Sequence, residues 1–137
     1  MNQHSRKTML LVDDHPFICL ALRTFLNIIL KDVDIVGEAH NGREAIRLCD
    51  ELSPDIVLMD IIMPCLDGIE ATRLILEDHP TISVIGLTSL DSNDSLVQQL
   101  IDAGAVSYIH KQASAEEIVE VFQACGVLSS VTTKISS

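Results

Sequence analysis

Hydrophobic positions along this chain follow two rhythms. Short aliphatic runs, with no polar alternation or only a loose one, occupy positions 8–12, 33–39, 56–59, 83–87 and 106–110. Each is followed by a longer stretch in which apolar residues recur at helical spacing. The second such stretch carries Ala45, Leu48, Cys49 and Leu52, and the fifth Ile118, Val121, Phe122 and Cys125, both at i, i+3, i+4, i+7. Both also start sharply. Asn41 with Glu44, and Ser114 with Glu117, have the spacing of capping boxes, in which side chain and backbone satisfy each other's orphan groups. No internal repeat interrupts the alternation. Strand-helix pairs in succession predict an α/β fold, a parallel sheet with helices on both faces.

The runs differ among themselves, and the difference predicts their order. The first, third and fourth are almost continuously apolar, as strands covered on both faces must be. The second mixes Val33, Ile35 and Gly37 with Asp34, Val36 and Glu38, while the fifth alternates Val106, Tyr108 and His110 with Ser107 and Ile109. These two read as edges. With right-handed crossovers, the simplest arrangement is a five-stranded parallel sheet of order 2-1-3-4-5, the flavodoxin-like doubly wound form. Such sheets bind ligands beyond the carboxyl ends of their strands, near the reversal of winding between the first strand and the third.

At that edge the pattern turns from apolar to charged. The first run stops at Asp13 and Asp14, and the third, in "DIVLMD", at Asp60. An unpartnered carboxylate at the end of a buried strand is costly, so these acids need water or a partner. Thr88 ends the fourth run and Lys111 follows the fifth, bringing a hydroxyl and an ammonium to the same rim. Taken singly, each has a plainer reading: Asp14 ahead of Pro16 as a helix N-cap, Asp60 as a turn residue before Pro64, Thr88 as a solvated hydroxyl, Lys111 as a surface cation. Their joint placement at successive strand ends favours a site. Clustered carboxylates require a cation between them, and an all-oxygen site with few protein ligands suits Mg2+, which keeps several waters and pairs with phosphate oxygens. Carboxylate, hard cation, lysine and hydroxyl together make a phosphoryl-transfer site.

Composition narrows the partners. The 137 residues make one domain able to bury its own core, 47% hydrophobic but only 3% aromatic. A net charge of −11, with nine Lys and Arg scattered along the chain, argues against direct nucleic-acid contact. Cys19, Cys49, Cys65 and Cys125 lie too far apart for a zinc-site pair and read as reduced thiols of a cytoplasmic protein. The apolar stretch 9–12 stops at the aspartates, far short of a signal sequence or a membrane span, so no membrane contact is expected. The five His residues pair neither with one another nor with Cys and are read as structural. Residues 1–127 form the expected domain, and 128–137, "LSSVTTKISS", a Ser/Thr-rich tail or linker.

In order and spacing, "LLVDDHP", "DIVLMDIIMPCLDG", "LTS" and "AGAVSYIHK" resemble the motifs of the response-regulator receiver domain of two-component signalling, over nearly the whole chain. "VDDHP" with "NGREA" is similar to receivers of the NarL/FixJ class of transcription factors. The resemblance implies that Asp60 is the phosphoacceptor and that Asp13, Asp14, Asp60 and the main-chain carbonyl of Ile62 bind Mg2+. It also implies that Thr88 and Lys111 hold the phosphoryl group, with Thr88 and Tyr108 as the switch pair. The implied partner is a sensor histidine kinase, with a phosphorylation-dependent homodimer and a transcriptional output domain not present in this chain. No independent substrate turnover is expected, so the protein is not an enzyme in that sense. Ile62 and Leu90 stand where the family tunes hydrolysis. Neither can hydrogen-bond an attacking water, which implies slow self-dephosphorylation. One departure is Gln112 after Lys111, where many receivers have proline; a trans peptide is expected there. Two other readings compete. A Mg2+-dependent haloacid dehalogenase-type hydrolase would need an acid where Ile62 stands, and a flavodoxin-like carrier would need a Ser/Thr/Gly-rich phosphate loop after the first strand.

Overall fold

The computed structural model describes residues 6–63, 67–89 and 94–126. Its elements alternate throughout: β1 (Lys7–Val12), α1 (Pro16–Ile29), β2 (Val33–Ala39), α2 (Gly42–Leu52), β3 (Ile56–Asp60), α3 (Gly68–Asp78), β4 (Ser83–Thr88), α4 (Ser95–Asp102), β5 (Ser107–His110) and α5 (Ala115–Ala124). The strands form one parallel sheet in the order β2-β1-β3-β4-β5. This is the doubly wound arrangement that the run patterns predict, with β2 and β5 at the edges. The expected tail at 128–137, Cys65 and Leu90 lie outside the described residues.

Alternation along the strands builds two cores. Leu10 and Val12 of β1, Val57 and Met59 of β3 and Val84 of β4 pack with Ala45, Cys49, Ile75 and Leu100 under α2, α3 and α4. Their neighbours Met9, Leu11, Ile56, Leu58, Ile85 and Leu87 pack with Leu26, Ile118 and Phe122 under α1 and α5. Because β1, β3 and β4 feed both cores, their central positions are apolar on both faces, and those of the two edge strands are not. Helix α1 covers the sheet with one face and leaves Phe17, Leu20 and Ile28 exposed on the other. No helix among the described residues is long and apolar enough to cross a membrane.

Local details correct the pattern reading in several places. The capping box at α5 is complete: Ser114 Oγ accepts the Glu117 N–H, and the Glu117 carboxylate accepts the Ser114 N–H. At α2 only half of it forms. Asn41 Oδ1 accepts the Glu44 N–H, but the Glu44 carboxylate takes the N–H of His40 at 2.8 Å, because the extended backbone at Asn41 turns its own N–H away from the first turn. The N-cap of α1 is His15, not Asp14, and its side chain makes no capping bond. Asp13 closes that turn instead, Oδ1 accepting the His15 N–H at 2.9 Å. Val106 precedes β5 rather than belonging to it; it is exposed, although its N–H still reaches the Val84 carbonyl. Cys125 is the C-cap of α5 and not part of the helix. The peptide before Gln112 is trans, as expected. Strands β3 and β4 each run one residue beyond the aliphatic stretch, so that Asp60 and Thr88 are their last members.

Candidate functional site

Register brings the ends of β1, β3, β4 and β5 into line. Val12 pairs with Met59, Asp60 with Leu87, and Thr88 with His110. Asp13 therefore emerges beside Asp60, and its N–H is held by the Ala39 carbonyl at 3.0 Å. The Lys111 N–H donates to the Thr88 carbonyl at 2.7 Å, which ties the residue carrying the ammonium to the end of β4. Beyond β3, α3 starts against the strand end. Gly68 donates its N–H to the Ile61 carbonyl, and a Cβ at Gly68 would stand 2.1 Å from the Asp60 carbonyl oxygen. Only glycine permits that approach.

The pocket is acidic and mostly dry. Asp13 is 1% exposed, Asp60 4% and Thr88 2%. Lys111 Nζ lies 3.4 Å from Asp13 Oδ2 and 3.5 Å from Asp60 Oδ1, so one ammonium bridges the two buried acids. Burial pushes the Asp60 carboxyl up from 3.8 to about 6. The charge of Asp13 adds to this and Asp14 adds a little more, while Lys111 and a hydrogen bond from the Ile62 N–H pull the other way. Among the described residues, the one charge of Lys111 does not balance the three acids. Asp13 Oδ2 and Asp14 Oδ1 are buried without a hydrogen-bond partner, even though Lys111 stands near the first and the His15 ring near the second. Orphaned carboxylate oxygens of this kind could hold a cation. One donor atom from each of Asp13, Asp14, His15 and Asp60 falls within 4.8 Å of the others. The oxygens of this set suit a hard divalent ion such as Mg2+.

Four of the residues singled out from the sequence thus meet at one edge: Asp13, Asp14, Asp60 and Lys111. Thr88 ends the neighbouring strand, buried beside them. Ile62 contributes its backbone N–H to Asp60 and leaves its side chain 59% exposed. Tyr108 sits deeper along β5, paired with Gly86 and half-buried against the core under α4. The residue that pattern reading passed over is His15. Its Nδ1 lies 3.2 Å from Asp13 Oδ1 and 3.0 Å from Asp14 Oδ1, so it belongs to the pocket and is not a structural histidine. The signal was local: a residue directly after two strand-end acids and directly before Pro16 can fold back over them. Cys19 also touches the site through the Asp13 carbonyl, but burial pushes its thiol up to about 11, which leaves no thiolate for chemistry.

A family model for the response regulator receiver domain matches residues 9–123. The chain is 42% identical over 116 residues to the transcriptional regulatory protein LiaR of Bacillus subtilis (strain 168), a match covering 85% of this chain and 54% of that protein. It is 40% identical over 115 residues to the response regulator protein VraR of Staphylococcus saprophyticus, covering 84% of this chain and 54% of that one. The chain therefore spans about half the length of the curated relatives it matches. Among solved structures it is similar to a LuxR-family two-component response regulator from Aurantimonas sp. SI85-9A1, with TM-score 0.80 and 32% identity over 88% of this chain and 84% of that one. It is also similar to the response regulator domain of Thermotoga maritima CheB, with TM-score 0.80 and 33% identity over 90% and 98%.

Proposed function

Given that this chain belongs to the response regulator receiver domain family, we propose that it is a phosphoacceptor switch in which Asp60 takes a phosphoryl group from the phosphohistidine of a sensor histidine kinase. The observation that carries this reading is the placement of Asp60. It is a carboxylate 4% exposed at the end of a central strand, sharing Lys111 with Asp13. An Asp60 oxygen attacks phosphorus in line, the P–N bond breaks, and the histidine leaves with the bonding electrons. The product is an acyl phosphate on Asp60. With its carboxyl at about 6, Asp60 is ionised at neutral pH, and the Ile62 N–H holds one orientation of it. Lys111 moves from the two acids to the transferred oxygens, and the Thr88 hydroxyl binds another. Asp13, Asp14 and Asp60, with the Ile62 carbonyl, would hold Mg2+, which when bound offsets the repulsion between the acids and the incoming anion.

Recruitment of Thr88 then favours a different packing of Tyr108 and α4, a shift between two populations. The exposed stripe of Phe17, Leu20 and Ile28 begins two residues beyond His15 and offers the kinase an apolar surface beside the pocket. A phosphorylation-dependent homodimer and a transcriptional output domain complete the proposal. The output rests on the relatives, one of which is named a transcriptional regulatory protein and of which the matched segment makes up only 54% of the length. No independent turnover is proposed. The setting is the cytoplasm, where thiols such as Cys19, Cys49 and Cys125 stay reduced. Acetyl phosphate should label the protein only with Mg2+ present, the label should be released by hydroxylamine, and Asp60→Asn should abolish it. Undiminished labelling of that variant would remove Asp60 from the role.

A further inference from the structure

We propose that His15 is a metal-ligating side chain of this pocket, so that the site favours divalent ions that accept a nitrogen donor, Mn2+ and Zn2+ among them, over Mg2+. The proposal rests on the reading of the pocket as a divalent-cation site. An octahedral ion with bonds of about 2.1 Å sets adjacent ligands about 3.0 Å apart. His15 Nδ1 stands 3.2 Å from Asp13 Oδ1 and 3.0 Å from Asp14 Oδ1, the spacing of neighbouring ligands on such an ion. Asp60 supplies a further donor within 4.8 Å of all of them. Asp13, 1% exposed, keeps Oδ2 without a hydrogen bond, so the cluster is not closed by its own contacts.

The helix makes no claim on the His15 side chain. As the N-cap of α1, His15 makes no side-chain capping bond, so the ring is not committed to the first-turn amides. Its N–H goes to Asp13 Oδ1 at 2.9 Å, and that turn swings the ring over the acids. The side chain is 62% exposed, so it can adjust to an ion without disturbing the core. Binding an ion requires the ring proton on Nε2, so that Nδ1, which faces the acids, gives its lone pair to the metal. Mg2+, which prefers oxygen and its own water, gains little from this lone pair; Mn2+ gains more and Zn2+ most. His15 therefore decides which ion is held rather than whether one is.

The test uses the full chain and the variants His15→Ala, His15→Gln and Asp13→Asn at one fixed pH. Binding of Mn2+ is followed by the loss of the free-ion electron paramagnetic resonance signal, Mg2+ by competition against it, and bound Mn2+ by its nitrogen echo modulation. We expect 14N coupling in the wild type, its loss in both His15 variants, and Mn2+ affinity lowered by roughly tenfold in His15→Ala with Mg2+ affinity changed less than about twofold. Asp13→Asn should weaken both ions. Wild-type protein that binds Mg2+ and Mn2+ without nitrogen coupling, or coupling that survives in both His15 variants, overturns the assignment of His15 and leaves the cation site standing. Failure of the wild type to bind either ion overturns both.

Discussion

Asp60 ionises against its surroundings, and that has a consequence for stability. Its carboxyl stands at about 6 in the folded protein and at 3.8 without the fold. Between those values the native state keeps a proton that the unfolded chain has released, so stability falls as pH rises through this window and stays lower above it. With Asp60 only 4% exposed, water screens little of this, and a difference of that size corresponds to roughly 3 kcal/mol. In metal-free protein, Asp60→Asn should accordingly gain on the wild type as pH is raised from about 4 to about 7. Urea unfolding of both proteins across that range checks it; a gap that does not change with pH contradicts it. At the neighbouring position, the exposed Ile62 offers no hydrogen bond to a water approaching the proposed acyl phosphate. Ile62→Asn together with Leu90→Glu should therefore speed loss of the phosphoryl group, and an unchanged decay rate would discard this account of lifetime.

Elements are seated by what two glycines leave out. A Cβ at Gly68 would meet the Asp60 carbonyl oxygen at 2.1 Å, an obstacle made of main chain. One at Gly86 would meet Leu100 Cδ2, also at 2.1 Å, but there the obstacle is the end of a side chain. Leu100 is fully buried, so turning it aside overpacks the core under α4 at a cost of about 1–3 kcal/mol. At Gly68 the start of α3 or the end of β3 must move, so Gly68→Ala should be the more destabilising of the two, and it should also disturb Asp60. Denaturant unfolding ranks the pair, and the reverse order would show that α3 can shift without loss. Because Gly86 pairs with Tyr108 in β5, the same substitution bears on the half-buried ring that the proposed switch moves.

For the molecule as a whole, the acidic edge is where charge and stability meet. The chain carries a net −11, and several of its acids are gathered at one rim with Lys111 between them. If the dissociation constant for Mg2+ is about 1 mM, about 10 mM free ion should stabilise the wild type by about 1.4 kcal/mol and do much less for Asp13→Asn or Asp60→Asn. Monovalent salt at matched ionic strength should not substitute, since screening is weak across so short and buried a separation. Unfolding with Mg2+, with EDTA and with salt alone compares the three; an equal gain in either variant would mean that these acids do not form one pocket.

Run length, helical spacing and the order of segments are local properties of the chain, and they suffice to place the elements, the sheet order and the acids at its carboxyl edge. Asp13, Asp60, Thr88 and Lys111 could be found because each stands where an aliphatic run stops. The start of α1 at His15, the shift of the Glu44 bond to His40 and the loss of Val106 from β5 could not, because each turns on backbone angles within a residue of a boundary. Distance and burial belong to the folded chain alone. The sharing of Lys111 by Asp13 and Asp60 and the raised carboxyl of Asp60 depend on segments far apart in sequence coming within a few ångströms, largely out of reach of water. A charge is tuned by the medium and the neighbours around it, and those exist only once the strands have paired.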